Sequence, residues 1–260
     1  MGLRLALCQY GAEKGDVSTN LSKIMTAVSQ TKSDVYIFPE MFLTGYGAEY
    51  GRLEEEVQFA IDKIRLWCIE RDVAIMVGAP SYTPNGIRNS LFFITPEEIT
   101  RYDKLYPARF GIYNEKEFVK GDRPILGSFK GMTFGLSICY DLFFPEIFRN
   151  YALACADVNI CIAASATPSK AYYDKILPAR SLENLMYTVF VNSVGKYGDL
   201  DFYGLSRLVS PLGDTLSELD GKEGILCVYV DKAVNANARK ERKHLADRRA
   251  DISWCEEVLR

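Results

Sequence analysis

The sequence predicts an α/β fold in which helices cover a β-sheet core, with one domain over residues 1–260. Short runs of β-branched and aromatic residues alternate with longer amphipathic patterns along the whole chain. The sequence contains no low-complexity tract, linker or fixed-period repeat that would divide it. A chain of 260 residues also suffices to bury a sizeable core. We therefore expect a single layered sandwich of sheets and helices.

Several segments have the length and composition of β-strands. Each is a run of roughly five to eight residues dominated by apolar, β-branched or aromatic side chains. A turn-rich TPNG segment at residues 83–86 separates two of them. The predicted strands are Leu3–Gln9, Val35–Pro39, Val73–Gly78, Ser90–Ile94, Ile99–Lys104, Met132–Ile138, Val158–Ala163, Tyr187–Ser193, Tyr203–Ser210 and Ile225–Val230.

Helical periodicity defines other segments between these strands. Val57, Ile61 and Ile64 recur at a spacing of three or four positions, as on one face of an amphipathic helix. Pro145 suits the first position of a helix because its missing N–H would have no helical partner there. The predicted helices are Asp16–Thr31, Arg52–Arg71, Pro145–Ala156 and Ala171–Asn184.

Composition limits the classes of function. The 31 basic and 34 acidic residues give a formal net charge of −3, which offers no basic surface to nucleic acid or to an anionic membrane. No stretch approaches the roughly 20 apolar residues of a membrane-spanning helix, and the N-terminal residues lack the cleavage pattern of a signal peptide. We therefore predict a cytoplasmic protein without a nucleic-acid or membrane partner.

The cysteines are spaced irregularly, without a C-x-x-C pair, and most lie within apolar strings. This pattern is typical of buried, reduced thiols and disfavours both a disulfide scaffold and structural zinc. At most one or two of the thiols are expected to have a chemical role. The seven cysteines are Cys8, Cys68, Cys139, Cys155, Cys161, Cys227 and Cys255.

His244 is the sole histidine, and it lies in a charged segment, RKERKHLADRR, that we interpret as a solvated helix or tail. A Cys–His or Ser–His catalytic pair would have to recruit this residue, so we do not expect one. Histidine-based metal sites are disfavoured for the same reason, and no glycine-rich phosphate-binding motif follows a strand. A hydrolase built from this sequence would need a carboxylate as its base.

Three reactive side chains follow apolar strands directly or nearly so. Glu40 comes after VYIFP, Lys104 after ITRYD and Cys139 after MTFGLSI. Strand ends are where α/β proteins hold functional groups rigidly at an accessible edge of the sheet. Taken singly, each residue has an ordinary alternative: a surface carboxylate, a solvated lysine, or a cysteine that fills the core.

The strings around these residues resemble, in order, those of the nitrilase or carbon–nitrogen hydrolase superfamily. FPEMFLTGY contains Glu40, YDKLYP contains Lys104, and ICYDLFFPEIFRNYALACAD contains Cys139. The later strings LPARSLENLMYTVFVNSVG, FYGLSRLVSPLGD and HLADRRADISW continue the similarity. The chain is thus similar to this superfamily over nearly its whole length.

Some positions depart from the family pattern. Cys155 replaces a glycine that many members have near the end of the helix after the cysteine. Tyr172 or Tyr173 stands where many members carry tryptophan. The spacing of the family's second active-site glutamate requires a one-residue deletion here, which makes Glu115 the candidate and Glu117 its alternative.

The resemblance implies a four-layer α-β-β-α sandwich, a homodimer or higher homo-oligomer, and thioester chemistry without a metal or cofactor. In that chemistry Glu40 takes the thiol proton of Cys139 and passes it to the departing amine. Lys104 and the backbone N–H of Tyr140 donate hydrogen bonds to the oxyanion. Donors placed where negative charge develops in the transition state usually make the largest contribution to the rate. Glu115 positions the substrate amide beside the lysine.

Substrate preference is indicated by the residues after the cysteine. Family members that accept carboxylate-bearing substrates commonly have arginine there, where this chain has Leu-Phe-Phe. This favours an amidase acting on a small neutral amide, although Arg109 could supply a positive charge from another loop. We expect Tyr140, Phe143 and Tyr46 to contact the substrate. The alternatives are a nitrilase, an N-carbamoyl amidohydrolase, or a non-catalytic binding protein that retains the fold.

Overall fold

The computed structural model describes residues 2–249. Within these residues the chain forms two six-stranded sheets, a two-stranded hairpin and five α-helices. The strands are β1 (Gly2–Gln9), β2 (Val35–Ile37), β3 (Ala74–Thr83), β4 (Gly86–Ile94), β5 (Ile99–Asp103), β6 (Leu126–Phe129), β7 (Met132–Ile138), β8 (Val158–Ala163), β9 (Tyr187–Asn192), β10 (Val194–Tyr197), β11 (Leu200–Tyr203), β12 (Arg207–Val209), β13 (Thr215–Glu218) and β14 (Gly224–Asp231). The helices are α1 (Val17–Gln30), α2 (Glu54–Arg71), α3 (Pro145–Leu153), α4 (Lys170–Leu182) and α5 (Lys232–Glu241).

The two sheets have related topologies. The first has the strand order β14-β1-β2-β3-β4-β5, and the second has the order β13-β12-β9-β8-β7-β6. Strands β1, β2 and β3 are parallel in the first sheet, as are β7, β8 and β9 in the second, and the other neighbours are antiparallel. Strand β5 runs parallel to β2 because two antiparallel pairings separate it from β3. The carboxyl-terminal ends of β2, β3 and β5 therefore lie at the same end of the first sheet.

The core lies between the two sheets, and both faces of the central strands are buried. In β1, Leu5 and Leu7 belong to the cluster between the sheets, whereas Ala6 belongs to the cluster under the helices. This division follows from the two-residue period of a strand. Phe93 of β4 and Phe134 of β7 meet edge to face across the sheets, with ring centroids 5.6 Å apart.

Helices cover the outer face of each sheet. Ile24 of α1 and Ile61 of α2 are buried against the first sheet. On the second sheet, Leu177 of α4 and the α3 residues Phe148 and Tyr151 are buried in the central cluster. From the sequence, Phe148 and Tyr151 could equally form a dimer contact or lie in the core, and the structure places both in the core. The layers run helix, sheet, sheet, helix, which confirms the predicted four-layer α-β-β-α sandwich.

The prediction of one strand over Tyr203–Ser210 was wrong. Strand β11 ends at Tyr203 and β12 begins at Arg207. Between them Gly204 and Leu205 have φ angles of 66° and 58°. Two successive residues in the left-handed region cannot continue an extended strand, and although glycine adopts this conformation readily, nothing about Leu205 signals it.

Two other boundaries differ in an instructive way. Helix α3 ends at Leu153, short of the predicted Pro145–Ala156, and Cys155 follows with a φ angle of 60°. The left-handed region favours glycine, so Cys155 occupies a position for which glycine is better suited. The TPNG turn joins a longer hairpin than predicted, since β3 extends to Thr83 and β4 begins at Gly86.

The charged segment near the C-terminus lies at the surface. The side chain of His244 is exposed, and its Nε2 lies 3.1 Å from the carbonyl oxygen of Leu182. Residues 250–254 of the predicted C-terminal string, and Cys255, lie outside the described residues. Over residues 2–249, no helix combines the length and the apolar character needed to cross a bilayer.

Substitution of Gly78 tests how the first sheet supports the chain after β2. A Cβ atom at Gly78 would lie 2.3 Å from the backbone nitrogen of Met41 and 2.6 Å from the carbonyl oxygen of Pro39. We expect Gly78→Ala to lower the free energy of unfolding by about 2 kcal/mol, and the melting temperature by roughly 5 °C. The matched control is Gly51→Ala, where nothing lies within 4 Å of the added atom. Equal melting temperatures for the two variants would contradict this account.

Candidate active site

Glu40, Lys104 and Cys139 all lie where strands end. Lys104 and Cys139 directly follow β5 and β7, and Glu40 lies three residues after β2. Glu40 Oε1 accepts a hydrogen bond from Lys104 Nζ at 2.7 Å. Its Oε2 accepts one from the backbone nitrogen of Ala164, also at 2.7 Å. Since Ala164 follows β8, Glu40 links the edge of the first sheet to the edge of the second.

A second carboxylate, that of Glu115, lies against Lys104. Its Oε1 accepts a hydrogen bond from Lys104 Nζ at 2.8 Å, and its Oε2 accepts one from the backbone nitrogen of Ala108 at 2.6 Å. Glu115 is buried, whereas Glu117 is exposed. Of the two candidates left open by the sequence, the structure thus places Glu115 beside the lysine.

Lys104 is a buried cation between two carboxylates. Burial alone lowers the pKa of Lys104, but the charges of Glu115 and Glu40 outweigh burial and hold that pKa well above its usual value. Burial raises the pKa of Glu115, against the effect of Lys104 and with that of Glu40. The lysine is therefore charged, and it lies between two carboxyl groups. Such a cluster is suited to take up a proton.

Asn89 and Tyr46 complete the hydrogen bonds of the two carboxylates. Asn89 Nδ2 donates to Glu40 Oε1 at 2.7 Å, and the Tyr46 hydroxyl donates to Glu115 Oε1 at 2.8 Å. Tyr46, which the sequence analysis expects to contact the substrate, is therefore engaged with Glu115. Tyr46 is not among the residues that line the cavity described below.

Cys139 begins a 3₁₀ turn, Cys139–Phe143, with a φ angle of 49°. This left-handed conformation is strained for a residue with a side chain, and such strain is common where a strand turns sharply to present a reactive group. Burial and the charge of Glu40 raise the pKa of the Cys139 thiol well above its usual value, although Lys104 opposes the shift. The resting thiol is therefore protonated near neutral pH.

Asp141 and Arg180 hold this turn in place. Asp141 Oδ2 accepts a hydrogen bond from the Tyr102 hydroxyl at 2.8 Å, and its Oδ1 accepts one from the backbone nitrogen of Tyr106 at 2.9 Å. Arg180 Nε donates to the carbonyl oxygen of Leu142 at 2.8 Å. The segment that carries the lysine is thereby joined directly to the turn that carries the thiol.

A cavity of about 290 Å³ reaches Cys139. Its walls are mainly aromatic, and Tyr140 and Phe143, which the sequence analysis expects to contact substrate, are among them. Arg109 is exposed, donates to the carbonyl oxygen of Phe118 at 3.3 Å, and is not among the residues that line this cavity. The lining residues are Ala108, Phe110, Tyr113, Glu115, Cys139, Tyr140, Phe143, Ser169, Tyr172 and Tyr173.

Sequence reasoning missed three contributors to this site. Ala164 acts through its backbone N–H, which leaves no trace in the pattern of side chains. Asn89 lies in β4 just before its apolar residues. A polar side chain at that position indicates a functional or structural hydrogen bond, and this signal could have identified it. Tyr173 drew attention only as a departure from the family's tryptophan, yet its hydroxyl oxygen lies 3.2 Å from Cys139 Sγ.

The arrangement has the parts needed for nucleophilic attack on a polarised carbon. A thiol faces a cavity, a carboxylate cluster can take up a proton, and a buried ammonium can stabilise negative charge on oxygen. In the part of the chain from residue 2 to residue 249, no group of three His, Cys, Asp or Glu side chains is placed to hold a metal ion.

The pH dependence of thiol modification tests the protonation of Cys139. Because its pKa is raised, the rate of reaction with methyl methanethiosulfonate should still be rising above pH 9. A small model thiol, with a pKa of roughly 8.5, should by then approach its plateau. Quenched reactions followed by peptide mass spectrometry separate Cys139 from the exposed Cys155 and Cys227. A plateau at Cys139 below pH 8 would show that the resting group is a thiolate.

Three comparisons relate this geometry to known proteins. The family model for carbon–nitrogen hydrolases matches residues 4–240. An (R)-stereoselective amidase from Pseudomonas sp. is 31% identical, with 96% of this chain and 93% of that protein covered. A CN-hydrolase superfamily protein from Xanthomonas campestris, solved with an arsenic adduct in its active site, has a TM-score of 0.90 and 25% identity, covering 98% and 100% of the two chains.

A further solved structure is a variant of the amidase from Nesterenkonia sp. AN1. It shows covalent addition of the acetamide moiety of fluoroacetamide at its active-site cysteine. Its TM-score is 0.84 at 29% identity, with 96% of this chain and 94% of that chain covered. The family model and the relatives span almost the entire fold that carries the site, and we conclude that this chain belongs to the carbon–nitrogen hydrolase family.

Proposed function

We propose that this protein is an amidase that hydrolyses the C–N bond of a small neutral amide through a thioester on Cys139, releasing ammonia and a carboxylic acid. The observation that carries the proposal is the position of the Cys139 thiol, at an aromatic cavity and within the influence of the buried Glu40–Lys104–Glu115 cluster. The amidases of Pseudomonas and Nesterenkonia that resemble this chain support the reaction type.

Glu40 is the general base in this proposal. Its carboxylate takes the proton of the Cys139 thiol while the ammonium of Lys104, 2.7 Å from Oε1, stays beside it. The sulfur attacks the amide carbon as that proton leaves, and the carbonyl oxygen takes the negative charge. Glu40 then returns the proton to the departing nitrogen, and ammonia leaves as the C–N bond breaks. A water molecule activated by Glu40 hydrolyses the thioester and restores the thiol.

The oxyanion is stabilised by Lys104 and by the backbone N–H of Tyr140. The ammonium of Lys104 is buried and charged, so its interaction with a new negative charge is weakly screened by solvent. Tyr140 lies in the first turn after Cys139, where backbone N–H groups have no acceptor within the turn. Glu115 holds the lysine from its other side and is a cavity residue, which suits the role of orienting the substrate amide.

The mainly aromatic lining of the cavity supports the preference for neutral substrates. Glu115 is the carboxylate in its lining, and it would repel a second carboxylate brought by the substrate. The guanidinium of Arg109, which could have received such a group, donates to the backbone carbonyl of Phe118, and Arg109 is not among the residues that line the cavity. Tyr140 and Phe143 form part of the surface on which an apolar acyl group would pack.

The proposal extends to domain organisation, location and assembly. We propose one domain over residues 1–260, supported by the single cluster that joins both sheets. A reducing, cytoplasmic location is supported by the six described cysteines, all of which are free thiols. A homodimer is supported by apolar side chains that remain exposed at the ends of α3 and α4, Leu153 and Leu182. Light scattering of the purified protein would measure the mass of the assembly.

An ammonia-release assay tests the proposed reaction. The panel should contain neutral aliphatic and aromatic amides, their ω-carboxylate analogues, the matching nitriles and N-carbamoyl compounds. We expect turnover of the neutral amides, turnover of the carboxylate-bearing amides at least about tenfold lower, and none with Cys139→Ala. Turnover of nitriles alone would replace the amidase assignment with a nitrilase. Activity that survives in Cys139→Ala would remove the thioester mechanism.

Replacement of the proposed base gives a separate prediction. Glu40→Gln keeps the shape of the side chain but cannot take the thiol proton, so kcat for an amide should fall by about 10²–10⁴. The matched control is Glu117→Gln, since Glu117 is an exposed glutamate of the same chain. Circular dichroism should show the same fold for both variants. A Glu40→Gln enzyme with wild-type kcat would assign the base to another residue.

A further inference from the structure

Tyr173 places a hydroxyl group against the reactive sulfur. Its oxygen lies 3.2 Å from Cys139 Sγ, well inside the hydrogen-bond range for sulfur. Tyr173 comes from α4, and it lines the same cavity as Cys139. Both side chains are buried, so this contact is protected from competing water.

The ring of Tyr173 is fixed by its neighbours. It packs edge to face against Phe143, with centroids 5.6 Å apart, and in a tilted arrangement against Phe190 at 5.2 Å. Rings held between two aromatic neighbours have little rotational freedom. The hydroxyl therefore points at the sulfur without a further loss of conformational entropy when the reaction begins.

The hydroxyl of Tyr173 keeps its proton over the working range of pH. Burial raises the pKa of Tyr173 well above its usual value, and the nearby charge of Cys139 raises it further. A protonated hydroxyl can donate to a thiolate, and hydrogen bonds to a charged acceptor are stronger than those between neutral groups. The contact should therefore strengthen at the moment the sulfur becomes negative.

We propose that Tyr173 is a catalytic residue whose hydroxyl donates a hydrogen bond to the Cys139 sulfur whenever that sulfur carries negative charge. This occurs twice in the proposed amidase reaction, on which the inference rests. The first occasion is attack, when the thiol proton passes to Glu40. The second is hydrolysis of the thioester, when the C–S bond breaks and its electron pair returns to sulfur. Tyr173 keeps its own proton in both steps.

The other tyrosines of the cavity are placed differently. The hydroxyl of Tyr113 accepts a hydrogen bond from the backbone nitrogen of Ala166 and lies 3.2 Å from the Ser169 hydroxyl. Tyr172 is 59% exposed at the mouth of the cavity. Tyr172→Phe therefore removes one hydroxyl from the same helix and the same cavity without touching the sulfur, which makes it a matched control.

The test measures the acidity of the thiol directly, without an amide substrate. Rates of reaction of Cys139 with methyl methanethiosulfonate are compared over pH for wild type, Tyr173→Phe and Tyr172→Phe. Tyr173→Phe should raise the apparent pKa of Cys139 by about one unit, which lowers the rate at a fixed pH about tenfold. Tyr172→Phe should follow the wild-type profile. Superimposable profiles for both variants would overturn the proposal.

Steady-state kinetics supply a second readout. Tyr173→Phe should lower kcat for an amide about tenfold with little change in KM, because the hydroxyl contacts the sulfur rather than the substrate. If the protein hydrolyses no amide but the thiol acidity shifts, the proposed function fails and the hydrogen bond to sulfur stands. If amides are hydrolysed and neither kcat nor thiol acidity changes, the role of Tyr173 fails and the proposed function stands.

A second variant, expected to change the apparent pKa of Cys139 in the opposite direction, keeps the test possible if Tyr173→Phe does not fold. Site-specific incorporation of 3-fluorotyrosine at position 173 retains the ring and makes the hydroxyl a stronger donor. The apparent pKa of Cys139 should then fall, and its reaction with methyl methanethiosulfonate at pH 7 should become faster than in wild type. An unchanged or slower reaction in this folded protein would overturn the proposal.

Discussion

The ammonium group of Lys104 lies between the carboxylates of Glu40 and Glu115, and all three groups are almost completely buried. Such charges are costly to remove from water, and each is stabilised here by short ion pairs and by further donors. Loss of one partner would strand a buried charge, which typically costs about 3–5 kcal/mol. Because Glu40 also accepts a hydrogen bond from Ala164, the same atoms that are suited to proton transfer fix the edges of the two sheets relative to each other.

The backbone around this cluster is strained at two points. Met41, which follows Glu40, has a φ angle of 52°, and Cys139 has one of 49°. Each such residue costs about 1–3 kcal/mol and persists only where its surroundings determine its conformation. On one side the support is the close approach of Gly78 to the chain after β2. On the other side, the hydrogen bonds that Asp141 accepts and the one that Arg180 donates hold the turn.

The sequence predicted those parts of the structure that depend on local pattern. Short apolar and β-branched runs predicted most of the strands, the family resemblance implied the two-sheet sandwich, and reactive residues at strand ends pointed to Glu40, Lys104 and Cys139. Features that depend on packing at a distance were not accessible: Tyr173 reaches its cysteine only through the placement of α4, across 34 positions. The break at Leu205 was missed because nothing in a leucine side chain signals a left-handed backbone.

The bonds that assemble the site join distant parts of the chain. Glu40 is 64 positions from Lys104 and 124 positions from Ala164. Closing loops of this length costs chain entropy before the contacts compensate for it, so long-range contacts of this kind tend to form slowly. During refolding from denaturant, helical and sheet content should therefore return before catalytic turnover. The enzyme's own turnover would then report the docking of one sheet on the other, a step that spectroscopic measures of secondary structure do not resolve.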